Sequence, residues 1–179
     1  MASTGLTLPT VGASTSRGGS ETGPWTNPGN ITLDDGSFAT DSITASSDWT
    51  PYLKGTGFGF AIPSGSTING ITLEINRKSS AANLVAADDL VSLVKAGTVT
   101  GSNKAIAGAY PTTLTVATYG SSSDLWGTSW TDSDINDTNF GAVLSFTQGL
   151  NSDANASVDS FKINVYYTAS GGANQGIMF

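Results

Sequence analysis

TINGITLEINRK, residues 67–78, alternates without a break. Ile71, Leu73 and Ile75 fall on one side of an extended chain, and Thr72, Glu74 and Asn76 fall on the other. A period of two with apolar residues on one side is the pattern of a half-buried β-strand. Ser64-Gly65, just after Pro63, marks the turn that delivers it. Working outward, further strands are predicted over Phe38–Ile43, Tyr52–Ile62, Asp89–Ala96, Leu114–Tyr119, Gly141–Thr147 and Ala156–Thr168. In the last of these Phe161, Ile163, Val165 and Tyr167 share a side, and Asp159, Lys162 and Asn164 are assigned to turns or solvent. No segment holds a helical period beyond one or two turns. About seven or eight strands joined by turn-rich loops predict an all-β chain, an antiparallel β-sandwich of jelly-roll type.

The ends read differently. Residues 1–30 are rich in Gly, Ser, Thr and Pro and predict an extended N-terminal arm. The sandwich is expected over 31–168. A C-terminal docking tail is expected over 169–179, where Gly-rich sequence leads to Ile177, Met178 and Phe179. Those three residues, with Leu6 and Leu8 in the arm, are the expected partner-docking side chains.

Composition narrows the chemistry. Of 179 residues only 12% are charged, with 7 Lys+Arg against 14 Asp+Glu and a formal charge of −7. No basic patch exists to neutralise phosphates, so nucleic-acid binding is not expected. Cysteine and histidine are absent, which removes thiolate ligands, the commonest metal ligand and the commonest general base. No catalytic residues and no cofactor are expected. Residues 1–20 lack the charge and apolar run of a signal peptide, and no stretch is long and apolar enough to span a bilayer. The expectation is a protein made in the cytosol without export and without a membrane partner.

The stretch LWGTSWTDSDINDTNFGAVLSF, residues 125–146, admits three readings. A glycosidase-like carboxylate pair would need two acids across a cleft, one with a raised pKa. Asp124, Asp132, Asp134 and Asp137 instead crowd into one polar loop. A calcium reading takes Asp132, Asp134 and Asn136 as ligands, but Asp137 stands where an EF-hand loop needs Gly and Val143 where it needs Glu. The structural reading has Thr131 or Asp132 capping one helical turn through Ile135. Ile135 and Phe140 then pack inward, Gly127 permits a sharp bend, and Trp126 and Trp130 close the end of the sandwich.

DLWGTSWTDSDINDTNFGAVLSF and ASVDSFKINVYYT, with the earlier WTNPGNITLDDGSFAT and GFGFAIPSGSTINGITLEINRKSS, resemble a recurrent pattern in structural proteins of tailed-bacteriophage virions. The resemblance covers roughly residues 25–168. It implies a jelly-roll-like sandwich in a viral particle, with Trp25, Phe58, Phe60, Ile62, Ile71, Trp126, Trp130, Phe140, Val158, Ile163 and Tyr166 mostly as scaffold.

The expected function is non-enzymatic. The first expectation is a capsid cement or decoration protein in the virion. It would bind a major capsid protein or other virion proteins through its arms, as a homo-oligomer with a trimer favoured. The alternative is a tail, neck or short-fibre adaptor or receptor-binding protein. A further alternative is a carbohydrate-binding module, with Trp49, Tyr52 and Trp126 as the stacking platform.

Overall fold

The computed structural model describes residues 1–44, 49–80, 86–148 and 153–170. Ten strands appear among them: β1 (Ala2–Ser3), β2 (Val11–Thr15), β3 (Ala39–Ile43), β4 (Tyr52–Thr56), β5 (Thr67–Ser79), β6 (Ala86–Lys95), β7 (Thr98–Thr100), β8 (Thr115–Ser121), β9 (Gly141–Gln148) and β10 (Ala154–Thr168). A 3-10 turn occupies Pro28–Ile31, and one short helix, α1, occupies Asp132–Asn136.

The strands form two antiparallel five-stranded sheets. In the first the order is β1-β10-β5-β8, with β3 pairing the other half of β10; in the second it is β2-β4-β9-β6-β7. The two sheets face each other across one core. Leu73, Ile75, Phe161 and Ile163 come from the first sheet and Leu53, Val91, Leu144 and Phe146 from the second, all fully buried. This is the all-β sandwich that the alternation predicts.

Two strand expectations shift by three residues or more. Tyr52–Ile62 is a strand only to Thr56, because Gly57 turns into the left-handed region (φ 74°) and donates its N–H to the Thr138 carbonyl at 3.0 Å. Phe58 and Phe60 then stack on each other, with centroids 5.7 Å apart, and lie edge-on or tilted to Phe140. The strand expected at Asp89–Ala96 starts at Ala86. It turns through Ala96 (φ 48°) and Gly97 (φ 83°) into β7, a pair of positive φ values that suits a two-residue hairpin.

Residues 1–30 are extended but do not form a separate arm. β1 pairs with the end of β10, Thr7 bridges to Ile163, and β2 is the edge strand beside β4. Trp25 enters the core edge-on to Phe146 at 5.5 Å and donates its Nε1–H to the Pro51 carbonyl at 2.9 Å. Single polar residues in this segment satisfy their main chain against the sandwich, so a low apolar content does not leave it free.

Among the described residues three register shifts interrupt the ladders; one lies between Tyr166 and Tyr167, and the other two are bulges that reset the alternation. Asp89 is the extra residue between Asp88 and Leu90 in β6, and Asp159 is the extra residue between Val158 and Ser160 in β10. Such an insertion exchanges the two faces of a strand. Val158 and Phe161 therefore both point into the core. Asp159, expected in a turn or solvent, is 2% exposed in mid-strand.

Candidate functional site

Side chains of the second sheet alternate between the core and an outer face. Leu53, Leu144 and Val91 are opposite one another and buried inward, so Tyr52, Lys54, Val143 and Ser145 project outward. Residues 16–22 lie against the end of this outer face. The Glu21 carboxylate gathers them, accepting from Ser16 Oγ and the Arg17 N–H at 2.7 Å each and from the Gly18 N–H at 3.1 Å. Those bonds, the Ser16 hydroxyl first, lower the Glu21 pKa. Trp49 ties the strap down by donating its Nε1–H to the Gly18 carbonyl at 3.1 Å, while its own carbonyl accepts from the Thr22 N–H at 3.1 Å.

The strap places Arg17 between two rings. Its guanidinium carbon stands 4.8 Å from the centre of Trp49 and 5.8 Å from that of Tyr52. Nη1 also pairs with Asp89, the bulge residue of β6, and donates to Ser145 Oγ at 2.9 Å. Arg17, Trp49, Tyr52 and Asp89 are all half-buried. This group of aromatic and charged side chains is held by a strap, a strand start and a bulge, and it is the candidate site.

Of the three expected stacking residues, the structure brings Trp49 and Tyr52 to one guanidinium; the sequence reading named neither Arg17 nor Asp89. Arg17 sits in a Gly/Ser stretch without periodicity, and only an isolated charge in a nearly uncharged segment marked it. Trp126 does not belong to the platform. It is fully buried, adopts φ 59° and donates its Nε1–H to the Ile71 carbonyl at 2.9 Å. Its carbonyl accepts from the Ser102 N–H at 2.7 Å, whereas Trp49 bridges to Thr147 in the second sheet.

The calcium reading is corrected in the same corner. Thr131 caps α1, accepting from the Asp134 N–H at 3.1 Å, while Asp134 Oδ2 accepts from the Thr131 N–H at 2.9 Å. Lys95 pairs with that same carboxylate at 2.8 Å. Burial opposes ionisation of Asp134, but the Lys95 and Thr131 hydrogen bonds outweigh it and lower the pKa. Asn136 faces the other way and bonds both the N–H and the carbonyl of Ile62, at 2.8 and 2.9 Å. Asp132, Asp134 and Asn136 therefore do not converge. Among the described residues no group of three or more His, Cys, Asp or Glu is placed to hold a metal ion.

Two further polar clusters lie elsewhere. Asp34, Asn76, Asp159 and Lys162 meet beside the first sheet, where Asn76 Nδ2 donates to both carboxylates at 3.2 Å. Lys162 pairs with Asp34. Between the sheets, Asp88 accepts from Tyr110 at 2.6 Å, Tyr119 at 2.8 Å, Arg77 at 3.2 Å and the Ile106 N–H at 3.1 Å. Burial, reinforced by Asp88, pushes both tyrosines above their usual pKa, so neither is an oxyanion at neutral pH. This cluster has the geometry of an inter-sheet tie.

Of the expected docking residues, Leu6 is half exposed at 50% and Leu8 is half-buried. Ile177, Met178 and Phe179 lie outside the described residues.

No family model matches this chain, and no curated protein matches it. Similar solved structures include the following two. One, described as "CBM4 structure and function", is 13% identical over 90% of this chain and 94% of its own, with a TM-score of 0.44. The other, the N-terminal cellulose-binding domain of β-1,4-glucanase C from Cellulomonas fimi, is 15% identical over 94% of each chain, with a TM-score of 0.40.

Proposed function

We propose that this β-sandwich is a non-catalytic recognition module that holds a saccharide on the outer face of its second sheet. The observation that carries the reading is the Arg17 guanidinium, fixed between Trp49 and Tyr52 by Asp89. A sugar presents weakly positive C–H groups to the electron-rich face of an aromatic ring. Its hydroxyls match the planar donor fork of arginine and the acceptor pair of a carboxylate. Trp49 already carries Arg17 and the strap, so Tyr52 is the ring that meets the ligand. The test is affinity electrophoresis and calorimetry against a panel of soluble glucans, xylans, mannans and bacterial surface polysaccharides. Binding that Tyr52→Ala and Arg17→Ala each weaken tenfold or more supports the proposal. Absence of binding across the panel, or binding indifferent to both changes, overturns it.

A second reading places the chain in a tailed-bacteriophage virion, as a cement or decoration protein or as a tail, neck or short-fibre component. Exposed Leu6, Val11 and Leu33 on a surface with few charges favour a contact role, as does the resemblance over residues 25–168. Immunogold labelling of purified particles tests it. Label over the head supports decoration, label at the neck, tail or fibre supports an adaptor, and no label overturns the reading.

A further inference from the structure

β8 is the longest strand at any edge of the two sheets, seven residues against two to five for β1, β2, β3 and β7. Among the described residues it pairs only with β5, and no main-chain hydrogen bond is made on its other side. β3, by contrast, is covered on its outer side where Thr26 and Thr40 exchange hydrogen bonds at 2.9 and 3.0 Å. The direction of the free groups follows from β5. Ile71 turns its N–H to the Asp124 carbonyl and its carbonyl to Trp126, both in the chain that continues β8. Odd residues of β5 therefore face β8. Their partners Thr115, Ala117 and Tyr119 face back, and Val116 and Thr118 turn their N–H and C=O groups outward, up to Gly120, where the backbone enters the left-handed region (φ 73°).

A bare edge of this kind, extended from Thr115 to Tyr119, is a template for another strand, and proteins that avoid pairing place Lys, Pro or a bulge there. β8 has none of these. Residues 105–123 contain no charged side chain, in a chain whose formal charge is −7. Leu114 and Val116 are 39% and 49% exposed beside the open edge.

We propose that β8 is a self-pairing edge, and that its occupant is β8 of a second copy, antiparallel across a two-fold axis. Two features select a second copy. Antiparallel pairing about a two-fold lets Val116 and Thr118 serve as donors and acceptors for both chains at once. The uncharged seam also lets two strongly acidic chains approach without like charges meeting in it. The first sheet then continues from five strands to ten across the pair. This surface is separate from the Arg17 site and does not depend on saccharide binding.

The test is sedimentation velocity of the full chain from micromolar to near-millimolar concentration. The expected result is a monomer–dimer equilibrium. Thr118→Pro, which removes an outward N–H, and Val116→Lys should each shift it toward monomer by tenfold or more. Circular dichroism, and the melting temperature at concentrations where the parent is monomeric, should stay unchanged. Val11→Lys, on the edge of the other sheet, should leave the dimer intact. A chain that stays monomeric throughout, a dimer that survives Val116→Lys, or a closed trimer would overturn the proposal. If Thr118→Pro does not fold, Val116→Lys decides.

Discussion

The Arg77 guanidinium and the Asp88 carboxylate meet at 3.2 Å between the sheets, Arg77 from β5 of the first and Asp88 from β6 of the second. Their side chains are 7% and 0% exposed. Tyr110 covers the guanidinium, its ring centre 3.7 Å from Arg77 Cζ. Removing one partner of such a pair strands the other charge in the core. Asp88→Ala should therefore cost about 3–5 kcal/mol, and Arg77→Met with Asp88→Leu together should recover part of the loss. Urea unfolding at neutral pH measures both. A single Asp88→Ala variant as stable as the parent would show that water reaches Arg77.

The corner at residues 125–146 separates packing from capping. Trp130 is 7% exposed and packs edge-on to Phe140 at 5.4 Å. Trp130→Ala should cost about 3–5 kcal/mol as a buried aromatic truncation. Asp134→Ala, which removes half of the capping box, should cost about 1 kcal/mol. Thermal unfolding of both variants checks the ranking, and equal losses would contradict it.

Acidic residues here carry opposed shifts. The Lys162 hydrogen bond, with further contacts from Asp159 and Asn76, lowers Asp34 to about 2. Burial, then the facing Asp34 carboxyl, raises Asp159. Burial also raises Asp41. A lowered carboxylate stabilises the fold above its unfolded pKa and loses that contribution as pH falls through the folded one. A raised carboxyl binds its proton more readily in the folded state, so stability grows as pH falls toward the unfolded value. Melting temperature should therefore rise from neutral pH to a maximum somewhat above pH ~4, the unfolded carboxylate range, and decline below it. Asp159→Asn should flatten the rising limb and keep the acid decline. A melting temperature that falls steadily from neutral pH would contradict this account.

The strap predicts a small energetic effect and a local optical one. Arg17 and Asp89 are partly exposed, and pairs of that kind contribute about 1 kcal/mol or less. Arg17→Met should lower stability within that range. It should also change the fluorescence of Trp49, whose ring loses its cation. Trp49→Phe in the same background removes the signal and shows which tryptophan reports it.

Much of the sandwich was legible because burial imposes a period on a strand. Ile71, Leu73 and Ile75 announced β5, and Thr131 or Asp132 announced the capped turn of α1, of which Thr131 is the cap, since both signals are local. Arg77 continues the inward side of β5, but neither its burial nor its partner was read from the sequence. Asp88 turns inward only because Asp89 bulges out of β6, and a bulge leaves no period behind. The same holds for Asp159 in β10.

The amino-acid sequence by itself determined the class of fold, most of the longer strands, the corner cap, and the absence of histidine and cysteine chemistry. These depend on neighbours a few residues apart, where propensity and alternation act. Tertiary structure alone decided which side chains meet across distance. Arg17 reaches Trp49 and Asp89, Trp126 is sealed behind Ile71, residues 1–15 pair with strands from both sheets, and β8 keeps an open edge. Each follows from how the two sheets are ordered and where their bulges fall, because long-range pairing is set by the packing of the whole core rather than by any one stretch.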